Sequence, residues 1–141
     1  MYILDTDHLS LIQRNGLEGK RILTRLAAIE KAEVAVTVVT YEEQVRGRLN
    51  VLSRAKTIDE QVLAYQGLQQ LVKDYRTIVI VPFSHTAALE HQRLRRAHPR
   101  IGNMDLKIAA ISLTNNAILL TRNASDFGQI GELQTGDWSA T

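Results

Sequence analysis

The chain has no cysteine. That absence excludes disulfides, zinc ribbons and thiol catalysis, and it fits a reducing compartment. Any metal would have to be held by Asp, Glu, His, carbonyl oxygens or water. Long apolar runs are missing too: no stretch approaches the roughly 18 residues of a membrane span. The opening "MYILDTDHLS" carries acids where a secretory leader needs a basic start and a long apolar centre. Both absences point to the cytoplasm and away from membranes. There is no internal repeat or low-complexity linker, so the 141 residues are expected to form a single domain, 1–141. A large excess of one charge is also lacking. The net charge is only +2, which alone does not call for nucleic acid. The distribution says more, because Arg93, Arg95, Arg96 and Arg100 cluster in "RLRRAHPR".

What is present is an ordinary core-forming composition, 45% apolar and 23% charged. A domain of this size buries roughly 68–70% of its unfolded surface, so it needs no staples. Apolar β-branched runs alternate with helical patterns. "YIL" (2–4), "VAVTVV" (34–39), "TIVIVPF" (77–83) and "AILLT" (117–121) read as short buried strands. They lack polar alternation, as expected when helices cover both sheet faces. "LQTGDW" (133–138) is expected to add an edge strand. Helices are expected over 20–30, 40–50, 55–75, 85–97 and 103–115. Thr40 with Glu43 has the capping-box pattern, and Pro99 and Gly102 punctuate the last break. Strand alternating with helix implies parallel βαβ units. The expected fold is a three-layer α/β/α sandwich on a mainly parallel sheet of four to five strands.

In such sheets function sits at the carboxyl ends of the strands. Asp5 falls at the end of the first strand, and Asp126 follows the fourth. Glu43 lies in the first turn of the helix after the second strand. Asp105 opens the helix that feeds the fourth. Crossover helices run antiparallel to the strands, so both helix starts face the same edge. Four carboxylates distant in sequence are therefore expected to meet. Like charges repel and burial penalises them, so a proton or a hard divalent cation must relieve the cluster. Two such ions can activate water and stabilise the leaving oxygen of a phosphodiester.

Those segments resemble PIN-domain ribonucleases, specifically the VapC-like toxins of bacterial toxin–antitoxin pairs. "ILDTDHLS" is similar to the family's opening strand and first acid, Asp5. "TYEEQVRG" resembles its Thr-x-x-Glu-Leu-x-x-Gly segment and assigns the second acid to Glu43, with Gln44 departing from the usual Leu. "IGNMDLKIAAIS" gives Asp105, and "LLTRNASDF" gives Asp126 with Thr121 and Asn123 as polar neighbours. The terminal "GELQTGDW" resembles the closing strand. The resemblance implies Mg2+ or Mn2+ dependence, endonucleolytic RNA cleavage, a homodimer and a cognate antitoxin of a type II system.

Each residue also has a plainer reading. Asp5, Asp105 and Asp126 are all suited to capping or dipole roles, and Glu43 to pairing with Thr40. Asp7 is expected either to cap a helix starting at His8 or to support the site. Arg93, Arg96 and Arg100 lie at three- and four-residue spacing, which puts them on one side if the helix persists past 97, and are candidate phosphate contacts. Lys107 and Arg122 lie beside the site and are candidates to offset its charge. His8, His85, His91 and His98 show no shared ligand spacing, and Trp138 reads as a core plug. The apolar face of 55–75 reads first as core. Two helices between the second and third strands nonetheless exceed what a crossover needs, and the surplus offers a dimer contact or an antitoxin groove. Two rival functions remain. "ILDTDHLS" is similar to the Asp-x-Asp loop of haloacid-dehalogenase-like phosphatases, with Asp5 as nucleophile and Asp7 as acid. Alternatively, the chain is a PIN module that binds RNA or protein without cutting.

Overall fold

The computed structural model describes all 141 residues. Five short strands form one wholly parallel sheet in the order β3-β2-β1-β4-β5. They are β1 (Tyr2–Leu4), β2 (Val34–Thr37), β3 (Val79–Val81), β4 (Ile118–Leu120) and β5 (Thr135–Gly136). Seven helices connect them: α1 (Thr6–Gln13), α2 (Leu17–Leu26), α3 (Val38–Arg54), α4 (Ile58–Asp74), α5 (His85–Ala97), α6 (Asn103–Thr114) and α7 (Ala124–Phe127). No helix is long and apolar enough to cross a membrane.

Alternate strand residues point to opposite sheet faces, and this splits the core in two. Ile3, Ala35, Val81 and Leu119 join α5 and α6 through Ala87, Leu94, Leu106 and Ile111. Leu4, Val36 and Leu120 join α1 and α2 through Leu9, Leu11 and Ile22, and Trp138 closes that side. These are the three expected layers. α2 lies close on α1 because Gly19 lets it: a Cβ there would sit 2.3 Å from the Leu11 carbonyl oxygen. The terminal strand is the expected edge, shortened to two residues.

Several boundaries differ from the sequence expectation. The run 34–39 yields strand only to Thr37, and Val38 and Val39 begin α3. Thr37 caps that helix, its hydroxyl accepting the Thr40 N–H at 3.2 Å, so Thr40 is not the cap. The capping box falls instead on α4, between Thr57 and Glu60. α1 starts at Thr6 with Asp5 as its cap, so Asp7 does not cap a helix beginning at His8. The α4 face is not core. Only Ala64 and Leu71 are buried there, while Ile58, Val62, Tyr65 and Val72 stand in solvent. The helix packs mainly on α3, outside the sheet layers.

The order places β1 between β2 and β4. The chain leaves β1 towards β2 on one side and leaves β4 towards β5 on the other. The crevice beyond the ends of β1 and β4 is thus the topological switch point, where open parallel sheets leave room for a ligand. Asp5 and Thr121 are the first residues past those two strand ends.

Candidate active site

A polar pocket of about 300 Å³ opens at that crevice, and Asp5, Glu43 and Asp105 line it together with Asn123. Asp126 stands next to it. Its Oδ2 accepts the Asn123 side-chain N–H at 3.1 Å, and its charge acts on Asp105. Strand ends and helix starts meet at one edge, so residues 5, 43, 105 and 126 arrive from four separate segments.

Asp5 is buried. Its backbone N–H extends the sheet by donating to the Leu120 carbonyl at 3.0 Å. Its Oδ1 accepts the His8 N–H at 2.7 Å, a helix cap held at the floor of the crevice. Burial pushes its carboxyl up to about 6, and the charges of Asp7 and Asp105 add to this. The Thr121 hydroxyl and the His8 amide partly offset the rise. Asp105 is half-buried in the first turn of α6, and its carboxyl is also raised, by burial first and then by the charges of Glu43 and Asp126. Both shifts come first from burial and then from the neighbouring negative charges.

Glu43 does not pair with Thr40. Its Oε1 accepts the Thr6 hydroxyl at 2.7 Å, and Thr6 Oγ1 lies 3.0 Å from Thr40 Oγ1. A hydroxyl has one proton. The carboxylate is the stronger acceptor, so Thr6 donates to Glu43 and accepts from the buried Thr40. α1 thereby fixes the acid of α3. Thr6 lies between Asp5 and Asp7, and nothing in its sequence neighbourhood marks it as a partner of Glu43.

The supporting residues are placed as follows. Asn123 caps α7, accepting the Asp126 N–H at 3.3 Å, and the Thr121 hydroxyl accepts the Asn123 N–H at 2.9 Å. Asp7 is gripped by Arg122 through two bonds, Nε at 2.7 Å and Nη2 at 2.9 Å. Arg122 therefore neutralises Asp7 first. Lys107 lies over the Phe83 ring at 5.8 Å and does not line the pocket. Arg93 is held by Glu90 and Glu132, while Arg96 and Arg100 are exposed, and none of these three lines the pocket. The cation that does line it is Arg14, which the sequence reading missed. Nothing in its sequence neighbourhood marks it.

Asp5, Asp7 and His8 bring ligand atoms within 4.8 Å of one another. That trio is a poor metal cage. His8 Nε2 accepts the Trp138 N–H at 3.2 Å, which puts the imidazole proton on Nδ1. A protonated nitrogen has no lone pair for an ion, and Asp7 is already engaged. Asp5, Glu43, Asp105 and Asp126 are the all-oxygen alternative, with raised carboxyls among them, although no three of them bring ligand atoms within 4.8 Å of one another. Such a set fits a hard divalent cation, whose charge removes the cost of holding the acids together.

Comparisons with known proteins fall on the same fold. The family model of the PIN domain matches residues 2–133. Ribonuclease VapC1 of Haemophilus influenzae strain R2866 is 26% identical over 144 residues, covering 99% of this chain and 98% of that protein. Among solved structures, VapBC-1 from nontypeable Haemophilus influenzae matches with a TM-score of 0.78 at 23% identity, over 99% of this chain and 98% of that one. DNA-bound VapBC from Salmonella typhimurium matches at 0.77 and 18% identity, over 97% of each chain.

Proposed function

The chain belongs to the PIN domain family, and from that premise we propose that it is a metal-dependent endoribonuclease, the toxin of a type II toxin–antitoxin pair. The observation that carries this reading is that Asp5, Glu43 and Asp105 line one strand-end pocket, with Asp126 near enough for its charge to act on Asp105. The names of the relatives, a ribonuclease and VapBC complexes, support it. The same names support a cognate antitoxin as partner. A homodimer, and the cytoplasm as the compartment where RNA is met, complete the proposal.

In this reading the four acids hold Mg2+ or Mn2+. A divalent ion supplies Lewis acidity that makes water a nucleophile at neutral pH and stabilises the departing oxygen. The chain's residues do the rest. Asp5 is fixed by its capping bond, Glu43 by Thr6, and Asp126 by Asn123. Preset oxygens need no rearrangement as charge develops on the phosphate. No side-chain nucleophile is required, and the resemblance to the family implies that the 3′ oxygen leaves, giving products with a 5′-phosphate and a 3′-hydroxyl. The phosphatase alternative needs Asp7 free as a proton donor, and the Arg122 grip opposes that.

The test is cleavage of mixed cellular RNA with each ion in turn. Activity with Mg2+ or Mn2+ that Asp5→Asn abolishes is expected. Products ending in 2′,3′-cyclic phosphate, or undiminished cleavage by Asp5→Asn, overturn the mechanism. An inert wild-type chain that still binds RNA leaves a binding module in its place.

A further inference from the structure

A second polar pocket, of about 440 Å³, adjoins the carboxylate site. The two share Thr6, Ser10, Arg14 and Glu43 as walls, so they form one continuous trough. Its far end lies between α1, α3 and α4, where Gln13, Gln44 and Arg48 face it. The volume is within the range of small-ligand sites.

Two guanidiniums line this trough without an anion. Neither Arg14 nor Arg48 takes part in an ion pair or donates a side-chain hydrogen bond, whereas Arg46, Arg93 and Arg122 are each held by carboxylates. Arg48 is half-buried and rests on α4 at Gly67, where an added Cβ would lie 3.2 Å from its Nη1. The glycine that weakens α4 by about 1 kcal/mol relative to alanine thus makes room for this cation. An unpaired guanidinium held at the wall of a polar trough is suited to a phosphate, which it grips through two parallel bonds.

The third element is an amide pair. Gln44 Nε2 donates to Gln13 Oε1 at 2.7 Å, and Gln13 Nε2 donates to Gln44 Oε1 at 3.2 Å. The Tyr75 hydroxyl donates to the same Gln44 oxygen at 2.8 Å, and Gln13 also donates to Asp74. Burial raises the Tyr75 phenol, so it stays a donor. The network uses up the Gln44 oxygen and one of its two N–H groups. One Gln44 N–H and one Gln13 oxygen lone pair remain, a donor beside an acceptor. Gln44 stands where the resembled segment carries Leu, so the polar wall is a feature of this chain.

We infer that this trough is a nucleotide subsite of single-stranded RNA, with Arg14 and Arg48 gripping a phosphate next to the cleaved bond and the Gln13–Gln44 pair reading the edge of an unstacked base. The inference rests on the ribonuclease reading. Single-stranded RNA is recognised in this way, through unstacked bases hydrogen-bonded on their edges.

The test uses the full chain and short single-stranded RNA oligonucleotides that differ in the base beside the cut. Arg48→Gln should raise KM about tenfold with kcat changed far less, and should lower the salt slope of binding by about one phosphate contact, measured in the non-cleaving Asp5→Asn background. Arg14→Gln should behave alike, and Arg48→Lys should restore part of the affinity. Gln44→Leu should flatten the preference among flanking bases. Circular dichroism confirms folding of each variant. If the wild type cuts RNA and the variants keep its KM, salt slope and base preference, the subsite is wrong and the nuclease reading stands. If the wild type neither binds nor cuts RNA, both fall. Unchanged RNA parameters with lost binding of an acidic protein partner would put protein in the trough and overturn the proposal.

Discussion

The imidazole Nε2 of His8 accepts the backbone N–H of Trp138 at 3.2 Å, joining residues 130 positions apart. Its Nδ1 lies 3.7 Å from Asp5 Oδ1 and has no hydrogen-bond partner. His8 is fully buried, and burial lowers its proton affinity below the ordinary histidine value. The end of the chain is thus pinned directly behind the first acid of the site. Trp138 completes the contact by packing on Tyr2 at 4.9 Å and under the Arg25 guanidinium at 4.7 Å.

Replacing His8 with Leu removes the acceptor and strands a buried N–H. The expected loss is about 1–3 kcal/mol in urea unfolding. A loss below roughly 0.5 kcal/mol, the size of an ordinary surface change, would show that the Trp138 bond adds nothing.

Asp5 sets an opposite trend. Its carboxyl is raised to about 6 from 3.8, so the folded chain holds the proton more tightly than the unfolded chain. Stability from this group is full below the unfolded value and is lost as pH rises through 6. The shift corresponds to at most about 3 kcal/mol at neutral pH. Asp5→Asn keeps a good helix cap and removes the charge. It should therefore abolish cleavage yet stabilise the ion-free protein at pH 7.5 by about 1–3 kcal/mol, with the gain vanishing near pH 4. Urea midpoints at the two pH values measure it.

Divalent ions should act on the same cost. Saturation with Mg2+ or Mn2+ at a hundredfold over the dissociation constant adds about 2.7 kcal/mol of stability. Thermal melts with and without a chelator should show the gain in the wild type and a reduced gain in Asp105→Asn, which should keep its fold and lose activity. An Asp105→Asn form that cuts RNA at the wild-type rate would remove that residue from the ligand set.

Thr6 offers a subtler probe. Its hydroxyl is the hydrogen-bond donor to Glu43. Thr6→Val should cost about 1 kcal/mol in stability and lower kcat about tenfold, while Thr6→Ser retains both. Equal kcat for all three forms would show that Glu43 needs no such support.

How much of this was legible depended on the range of the interaction. The strands at 2–4, 34–37, 79–81 and 118–120 lay inside the expected runs because unbroken β-branched segments suit a sheet covered on both faces. The strand ends at Thr37, short of the expected run: Val38 and Val39 look like strand, yet the Thr37 hydroxyl caps a helix that starts there. The apolar residues of α4 have helical spacing, but periodicity does not say whether a face meets the core or solvent. Arg93 looked free for phosphate because Glu132, its distant partner, is 39 residues away.

The sequence by itself determined the alternation of strand and helix, and with it the edge where residues 5, 43, 105 and 126 arrive. Those are consequences of local periodicity and of the direction in which crossover helices must run. Only the tertiary structure decided the pairings: Thr6 with Glu43, Asp7 with Arg122, His8 with Trp138, and the bare guanidiniums of Arg14 and Arg48. Hydrogen bonds and charge neutralisation act over a few ångströms in space, and separation along the chain carries no record of which groups will come that close.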